Sequence, residues 1–243
     1  MSDDPHRPYE MSDDVRRKLL AVSTATLAGQ MQRRGSRNAF LNRLKPLNPG
    51  QKMVGYAHTL RYVPRREDFE RRQEGPNAQR RAVESIQQDE VLIMEARGEA
   101  DAGTIGDIFA MRVKQLGGAG VITDGALRDT PAIAEIGLPV YHRSSHAATL
   151  GRIHTPLDHQ VPIVCADVTV LPGDVIVGDD EGAVVIPALL AEEVANDAYT
   201  QEIEEEWAIE RVAAGESSIG TFPIAPERRG EFEAWLAARE SAD

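Results

Sequence analysis

Two short segments carry side chains that could together bind a small anion and a metal ion. Residues 103–109 contain two glycines just before a helical pattern, so backbone N–H groups there could approach an anion at the positive end of the helix dipole. The same residues would also suit an ordinary helix start with Asp107 as a capping residue. The second segment, Arg128 and Asp129, follows a turn at the predicted end of a strand, where ligands gather in α/β proteins.

The chemistry open to Arg128 and Asp129 follows from their charge and shape. The Arg128 guanidinium can hold a carboxylate through two parallel hydrogen bonds. The Asp129 carboxylate is a hard oxygen ligand suited to Mg²⁺ or a similar ion. An ordinary surface ion pair between the two residues is the alternative, and their types alone leave both interpretations open.

The elements that must position these segments alternate between strands and helices, which predicts an α/β fold. Ser12, followed by two aspartates, begins a predicted helix that Gly35 ends. Further helices are predicted at residues 80–87, 105–116 and 130–136, through Tyr199 and Trp207 to Gly215, and near Trp235. Strands are predicted at residues 53–63, 91–96, 120–123, 139–142, 161–170, 174–177 and 183–186. The charged stretch 64–79 is predicted to be a surface loop, and the histidines at 142, 146, 154 and 159 to be loop residues.

The organisation of the chain favours one domain, because no internal repeat or clear linker interrupts it. We predict a flexible N-terminal arm over residues 1–14, an α/β domain over residues 15–215 and a C-terminal extension over residues 216–243. The acidic residues 1–14 lack the apolar core of a signal peptide, and no apolar run approaches the ~20 residues that span a bilayer. These features predict a cytoplasmic protein without a membrane partner.

Charge and cysteine content exclude further classes of protein. The net charge of −12 argues against nucleic-acid binding, which needs an excess of lysine and arginine. The one cysteine, Cys165, allows neither a disulfide within the chain nor a multi-cysteine metal site. It stands in an apolar run, which favours a buried strand residue over a nucleophile.

A family resemblance appears when the two segments are joined. Gly106 and Asp107, then twenty residues, then Arg128 and Asp129 resemble the D-x20-R-D pattern of the RraA-like family. That family includes the regulators of ribonuclease activity A and the 4-hydroxy-4-methyl-2-oxoglutarate aldolases. The resemblance extends over about residues 20–215 and includes the stretches GGAGVITDGALRD, LPVYHR and VTVLPGDVIVGDDEGAVVIP.

The resemblance implies a fold, an assembly and a role for each residue of the motif. The fold would be a layered α/β/β/α-type sandwich with a mixed sheet, assembled as a homotrimer or homohexamer with active sites at subunit boundaries. Asp129 would help to hold a divalent metal cation, Mg²⁺ or Mn²⁺, partly through water, and Arg128 would grip the substrate. A neighbouring subunit would add one glutamate. The backbone that receives the pyruvate end would be that of Gly106, Asp107, Ile108 and Phe109, and the glutamate candidates are Glu202, Glu204, Glu205 and Glu206.

The implied function is a metal-dependent lyase, an aldolase or decarboxylase, with Arg128 and Asp107 as catalytic residues. Its substrate would be a small 2-oxo acid, such as a 4-hydroxy-2-oxo acid or oxaloacetate, that passes through pyruvate enolate. Lys114 is predicted to be a surface residue, which disfavours a Schiff-base route. The alternatives are a non-catalytic inhibitor that binds a ribonuclease, and a dehydratase or hydratase of sugar-derived 2-oxo acids.

Three parts of the chain depart from the shorter members of that family. They are a longer N-terminal arm, a charged insert near residues 67–77 and a tail beyond Gly215. These departures indicate a subgroup whose substrate differs from those of the known aldolases.

Overall fold

The computed structural model describes residues 9–72 and 74–240 of the chain. The helices are α1 (Asp13–Ala21), α2 (Thr24–Arg33), α3 (Glu67–Glu70), α4 (Ala78–Glu84), α5 (Asp107–Gln115), α6 (Thr130–Ile136), α7 (Ala191–Ala213) and α8 (Arg229–Glu240). The strands are β1 (Lys45–Pro46), β2 (Met53–Pro64), β3 (Glu90–Glu95), β4 (Gly120–Thr123), β5 (Ala126–Leu127), β6 (Val140–His142), β7 (Ser144–Ser145), β8 (His154–His159), β9 (Ile163–Cys165), β10 (Val168–Val170), β11 (Val175–Gly178) and β12 (Ala183–Ile186).

One mixed sheet organises the fold. Its strands follow the order β1-β6-β4-β3-β2-β11-β12, and β8 pairs with the last part of β2. The neighbours β2, β3, β4 and β6 are parallel, whereas the flanking strands are antiparallel. Parallel neighbours need crossover connections, which α4, α5 and α6 provide. The predicted α/β class, the mixed sheet and the single domain are confirmed.

Strand β2 shows how the two faces of the sheet are covered. Its side chains alternate between faces. Val54 packs with the cluster formed by α1, α2 and α7, and Leu60 with the cluster formed by α4, α5 and α6. Met53 and Ala57 point the other way and pack against the β9–β10 hairpin. Helices therefore cover one face, and a small second sheet covers the other.

The N-terminal helical region is two helices rather than the one predicted. Ser23 ends the first and caps the second, since its hydroxyl accepts the N–H of Thr26 at 3.1 Å. The Ser23 N–H and hydroxyl both donate to Glu202, so the break between α1 and α2 is held against α7. Residues 1–8 of the predicted arm lie outside the described residues. The chain already contacts the core before α1, because Met11 N–H donates to the Tyr56 hydroxyl at 2.6 Å.

Three other predictions of secondary structure were wrong. The predicted strand 161–170 is a hairpin, because Ala166 and Asp167 both have positive φ and form the tight turn between β9 and β10. Residues 154–159, predicted as loop, form β8 against β2. The predicted loop 64–79 contains α3 and the first residues of α4. In the last two cases, pairing and packing with distant residues stabilise elements whose local pattern is polar.

The C-terminal extension packs back onto the chain. Trp207 of α7 is fully buried, and Phe232 of α8 meets it edge-to-face at a ring-centroid distance of 6.0 Å. The Arg228 guanidinium lies 4.9 Å from the Trp207 ring centroid. Within residues 9–72 and 74–240, no helix is long and apolar enough to cross a membrane.

The turn before β11 contains a buried carboxylate. Gly173 has a φ of 83°, and Asp174 is 7% exposed. The Asp174 carboxylate accepts the Leu171 N–H at 2.8 Å. Burial outweighs this hydrogen bond and raises the pKa of Asp174 to about 6.

We expect Asp174→Asn to become more stable relative to the wild type as the pH rises from about 4 to 7. The folded-state pKa lies above the ordinary value of 3.8, so the unfolded state loses its proton first. The stability of the wild type therefore falls with rising pH through this window, by up to about 3 kcal/mol from this group. Urea unfolding of both proteins at pH 4 and pH 7 measures the change. A stability difference that is the same at both pH values would contradict the prediction.

Candidate active site

The two segments of the motif meet at one edge of the sheet. Residues 96–106 follow β3 and residues 124–129 follow β4, and these parallel neighbours end at the same edge. Backbone hydrogen bonds join the segments: Thr104 N–H donates to Ala126 O at 2.8 Å, and Arg128 N–H donates to Ile105 O at 3.1 Å. More than twenty positions separate these residues in the sequence, and the sheet brings them into contact.

Asp124, a buried aspartate that the sequence did not single out, holds the two strand ends together. Asp124 is 5% exposed, and its carboxylate accepts the N–H groups of Ala96 at 2.5 Å and Gly98 at 2.9 Å. Burial raises its pKa, although these hydrogen bonds favour the charged form. Asp124 therefore positions the loop that leads to Gly103.

The two glycines of the first segment allow its backbone to lie close to Arg128 and Asp129. A Cβ on Gly103 would lie 2.7 Å from Arg128 Cβ and 2.8 Å from the Arg128 nitrogen. A Cβ on Gly106 would lie 2.8 Å from Asp129 Oδ2. Any side chain at either position would push Arg128 and Asp129 away from the start of α5.

Arg128 and Asp129 form an ion pair that is open to a ligand. Arg128 Nε lies 3.0 Å from Asp129 Oδ2, and the side chains are 36% and 37% exposed. The approach is not aligned as a hydrogen bond, because Arg128 Nε has no hydrogen-bond partner among the described residues. Asp129 precedes α6 in the left-handed region, at φ 57°, and its side chain does not cap that helix. Its carboxylate is therefore left to face the cleft.

The start of α5 supplies donors for an anion. Gly106 occupies the N-cap position and has no side chain with which to cap the helix. Asp107, the first helical residue, accepts the N–H of Ile108 at 2.8 Å, so the capping interpretation of Asp107 applies to that one N–H group. Ile108 itself is 78% exposed.

All the predicted site residues line one cleft of about 510 Å³. They are Gly106, Asp107, Ile108, Phe109, Arg128 and Asp129. Another part of the wall was not predicted from the sequence and includes Asn77, Gln79 and Arg80 at the start of α4. Gln79 is 1% exposed, and its amide donates to Thr104 O at 2.6 Å, which supports the loop from below. Asn77 is the residue from which the sequence could have predicted this part of the wall. Its side chain caps α4 by accepting the Arg80 N–H at 3.0 Å.

The donor set at the cleft fits a hydrated Mg²⁺ or Mn²⁺ ion rather than a metal enclosed by protein ligands. No group of three or more histidine, cysteine, aspartate or glutamate side chains is placed to hold a metal within the described part of the chain. Asp129 offers a carboxylate that is not used as a cap, and Asp107 lines the same cleft. Mg²⁺ usually keeps several waters and binds through one or two carboxylates, so this pair meets its minimum requirement.

The four candidate glutamates lie on α7, where three of them bind groups of the same chain outside that helix. Glu202 accepts hydrogen bonds from Ser23, and Glu204 pairs with Arg229 at 2.5 Å. Glu206 pairs with Arg239, and Glu205 accepts from the Gln201 amide at 2.7 Å. None of the four lines the cleft of their own chain. Their contribution to a neighbouring subunit stays a prediction.

We expect Gly106→Ala to lower any activity of the cleft by about tenfold, because its Cβ would displace the Asp129 carboxylate. The helix should remain, since the backbone at Gly106 is extended and accepts any residue. Steady-state kinetics with circular dichroism measures both effects. Gly230→Ala in α8 is the matched control, because no atom lies within 4 Å of its added Cβ. Full activity in Gly106→Ala would show that the close approach is not needed.

Several known proteins are similar to this chain in sequence. The family model described as RraA-like, Aldolase/RraA, matches residues 24–185. A Halalkalibacterium halodurans protein named as a candidate 4-hydroxy-4-methyl-2-oxoglutarate aldolase is 31% identical over 169 residues, which are 67% of this chain and 73% of that protein. The Legionella pneumophila protein DlpA is 25% identical over 93% of this chain, and the match spans only 35% of DlpA.

A solved structure agrees with these sequence matches. Streptomyces coelicolor RraAS2, described as an unusual member of the RNase ES inhibitor RraA protein family, superimposes with a TM-score of 0.75. It is 33% identical, and the alignment covers 83% of this chain and 98% of RraAS2. The relatives thus include both proteins named as aldolases and proteins named as ribonuclease inhibitors.

Proposed function

Since the chain belongs to the RraA-like family, we propose that it is a lyase that cleaves small 2-oxo acids by an aldolase or decarboxylase reaction. The observation that carries the proposal is the Arg128–Asp129 pair, held in one cleft beside the uncapped start of α5. A binding surface alone would not need a guanidinium, a carboxylate and helix N–H groups to converge on one cavity.

The residues of the cleft have separate tasks in this proposal. The carboxylate of the 2-oxo acid would bind at the backbone N–H groups that begin α5, where the helix dipole favours an anion. The Arg128 guanidinium would donate to the 2-oxo oxygen and stabilise the negative charge that grows there as the C3–C4 bond breaks. Asp107 lines the same cleft and is proposed to assist as a second catalytic residue. In the aldolase reaction the C4 hydroxyl loses its proton as it becomes the carbonyl of an aldehyde or ketone, and in the decarboxylase reaction carbon dioxide leaves. In both reactions the enolate takes up a proton at C3 and becomes pyruvate.

We include a divalent cation, Mg²⁺ or Mn²⁺, in the proposal, with Asp129 as the residue that would hold it. When bound, such a cation supplies Lewis-acid stabilisation of the enolate charge. The support from the structure is the half-exposed Asp129 carboxylate that caps no helix.

The test is pyruvate release. The purified protein is mixed with 4-hydroxy-2-oxoglutarate or oxaloacetate, with Mg²⁺ or Mn²⁺ added or with EDTA, and pyruvate is measured by coupling to lactate dehydrogenase. We expect turnover with metal and its loss with EDTA. No release of pyruvate above the uncatalysed rate from either substrate would overturn the proposal.

A second candidate function is the non-catalytic inhibition of a ribonuclease, which the similarity to RraAS2 favours. An assay of ribonuclease E-type cleavage with increasing amounts of this protein tests it directly. Inhibition that survives in a variant without the Arg128 side chain would separate this function from chemistry in the cleft.

A further inference from the structure

Arg80 is a second cation that lines the cleft. Arg80 lines the same cleft as Arg128, and its guanidinium lies 5.6 Å from the ring centroid of Phe109. This stacking holds the side chain toward the cleft by a cation–π contact. Of the charged residues that line the cleft, Arg128 lies beside Asp129, whereas Arg80 makes no ion pair within residues 9–72 and 74–240.

A second cavity adjoins the cleft at Arg80. It measures about 650 Å³, and its walls include Pro76, Gly151 and Pro156. Asn77, Arg80 and Leu150 line both the cleft and this second cavity. Arg80 therefore stands at the junction of two spaces, one of which holds the proposed reaction centre.

The charged insert near residues 67–77 contributes to the wall where the two cavities meet. Gly75, Pro76 and Asn77 end the charged stretch near residues 67–77 that departs from shorter family members, and they form one wall of the second cavity. Asn77 also caps α4 and so fixes where Arg80 leaves the helix. The end of this stretch thus contributes a wall of the second cavity beside the cleft.

We propose that Arg80 binds an anionic group, a carboxylate, on the part of the substrate that departs after C–C cleavage, and that the second cavity accepts the extra length of that part. This proposal rests on the proposed lyase function, because it takes the 2-oxo acid end to lie at Arg128 and α5. A guanidinium holds a carboxylate through paired hydrogen bonds, which suits a terminal acid at this junction. The preferred substrate would then be a 2-oxo diacid longer than five carbons, and shorter 2-oxo acids would be cleaved without the benefit of this contact.

Matched pairs of unreactive ligands test the proposal by binding. Calorimetry compares 2-oxoglutarate, 2-oxoadipate and 2-oxopimelate with the monoacids of the same length, 2-oxopentanoate, 2-oxohexanoate and 2-oxoheptanoate. We expect one of the two longer diacids to bind about 10- to 100-fold more tightly than its monoacid, as a charge-assisted hydrogen bond allows. Arg80→Gln should reduce this ratio to near one and leave the affinity for the monoacids unchanged.

Two further variants complete the design. Arg112→Gln removes an exposed guanidinium that pairs with Glu84 on the neighbouring helix, and it should keep the wild-type ratio. Gly151→Leu should weaken the longer diacids and spare 2-oxoglutarate, because it fills the second cavity, where an added Cβ meets only the Arg65 guanidinium at 3.7 Å.

The outcomes separate this proposal from the proposed function. Equal binding of diacids and monoacids by the wild type, or an unchanged ratio in Arg80→Gln, would overturn the role of Arg80 while pyruvate release could still stand. Failure of all six ligands to bind, together with no pyruvate release, would overturn both.

Discussion

Arg128→Ala is expected to lower kcat for pyruvate release by about 10²–10³-fold, the usual effect of removing one donor that stabilises an oxyanion. The fold should persist, because the contribution of Arg128 to the loop is its backbone N–H, which donates to Ile105 O. The measurement is the coupled pyruvate assay with saturating substrate, accompanied by a urea unfolding curve.

Two companion variants make the Arg128 result specific. Arg128→Lys keeps the charge but loses the planar pair of donors, so its kcat should fall between those of the wild type and the alanine variant. Arg112→Ala on α5 removes a surface guanidinium outside the cleft and should keep full activity. Wild-type turnover in Arg128→Ala would remove Arg128 from the mechanism.

Asp129→Asn is expected to weaken Mn²⁺ binding by about tenfold or more, because a carboxylate charge beside a divalent cation contributes well over 1.4 kcal/mol. Activity at low Mg²⁺ should fall with it and recover in part at high Mg²⁺. Electron paramagnetic resonance of free Mn²⁺ measures the affinity without any need for turnover.

The control for the metal experiment is Asp101→Asn. Asp101 is an exposed carboxylate in the loop after β3, and it does not line the cleft. Its replacement should leave Mn²⁺ affinity unchanged. If Asp129→Asn bound Mn²⁺ as tightly as the wild type, the assignment of Asp129 to the metal would be wrong.

Local patterns in the sequence were sufficient for several elements near the site. The predicted strand 120–123 and the predicted helix 130–136 have the same bounds as β4 and α6. The strand is predicted by a short apolar run between glycines, and the helix by the threonine–proline pair at its start. Both signals depend on neighbouring residues alone. The motif residues stood out for a similar reason, because their types and spacing can be read without knowing the fold.

The polar strand and the split helix could not be predicted in the same way. Strand β8 contains two histidines and an aspartate, and it is a strand because the last part of β2 pairs with it. The break between α1 and α2 depends on Glu202, which is 179 positions from Ser23. Such contacts join residues distant in the sequence, so no local pattern contains them.

The sequence by itself determined the family, the α/β class and the identity of the charged pair, since these depend on residue types and spacing. The tertiary structure decided that Gly106 lies against Asp129 and that Asp124, after β4, accepts hydrogen bonds from the residues after β3. It also decided that Arg80 lines the cleft that contains Arg128. The physical reason is that parallel strands bring their carboxyl ends to one edge of the sheet, so loops far apart in the chain share one cavity.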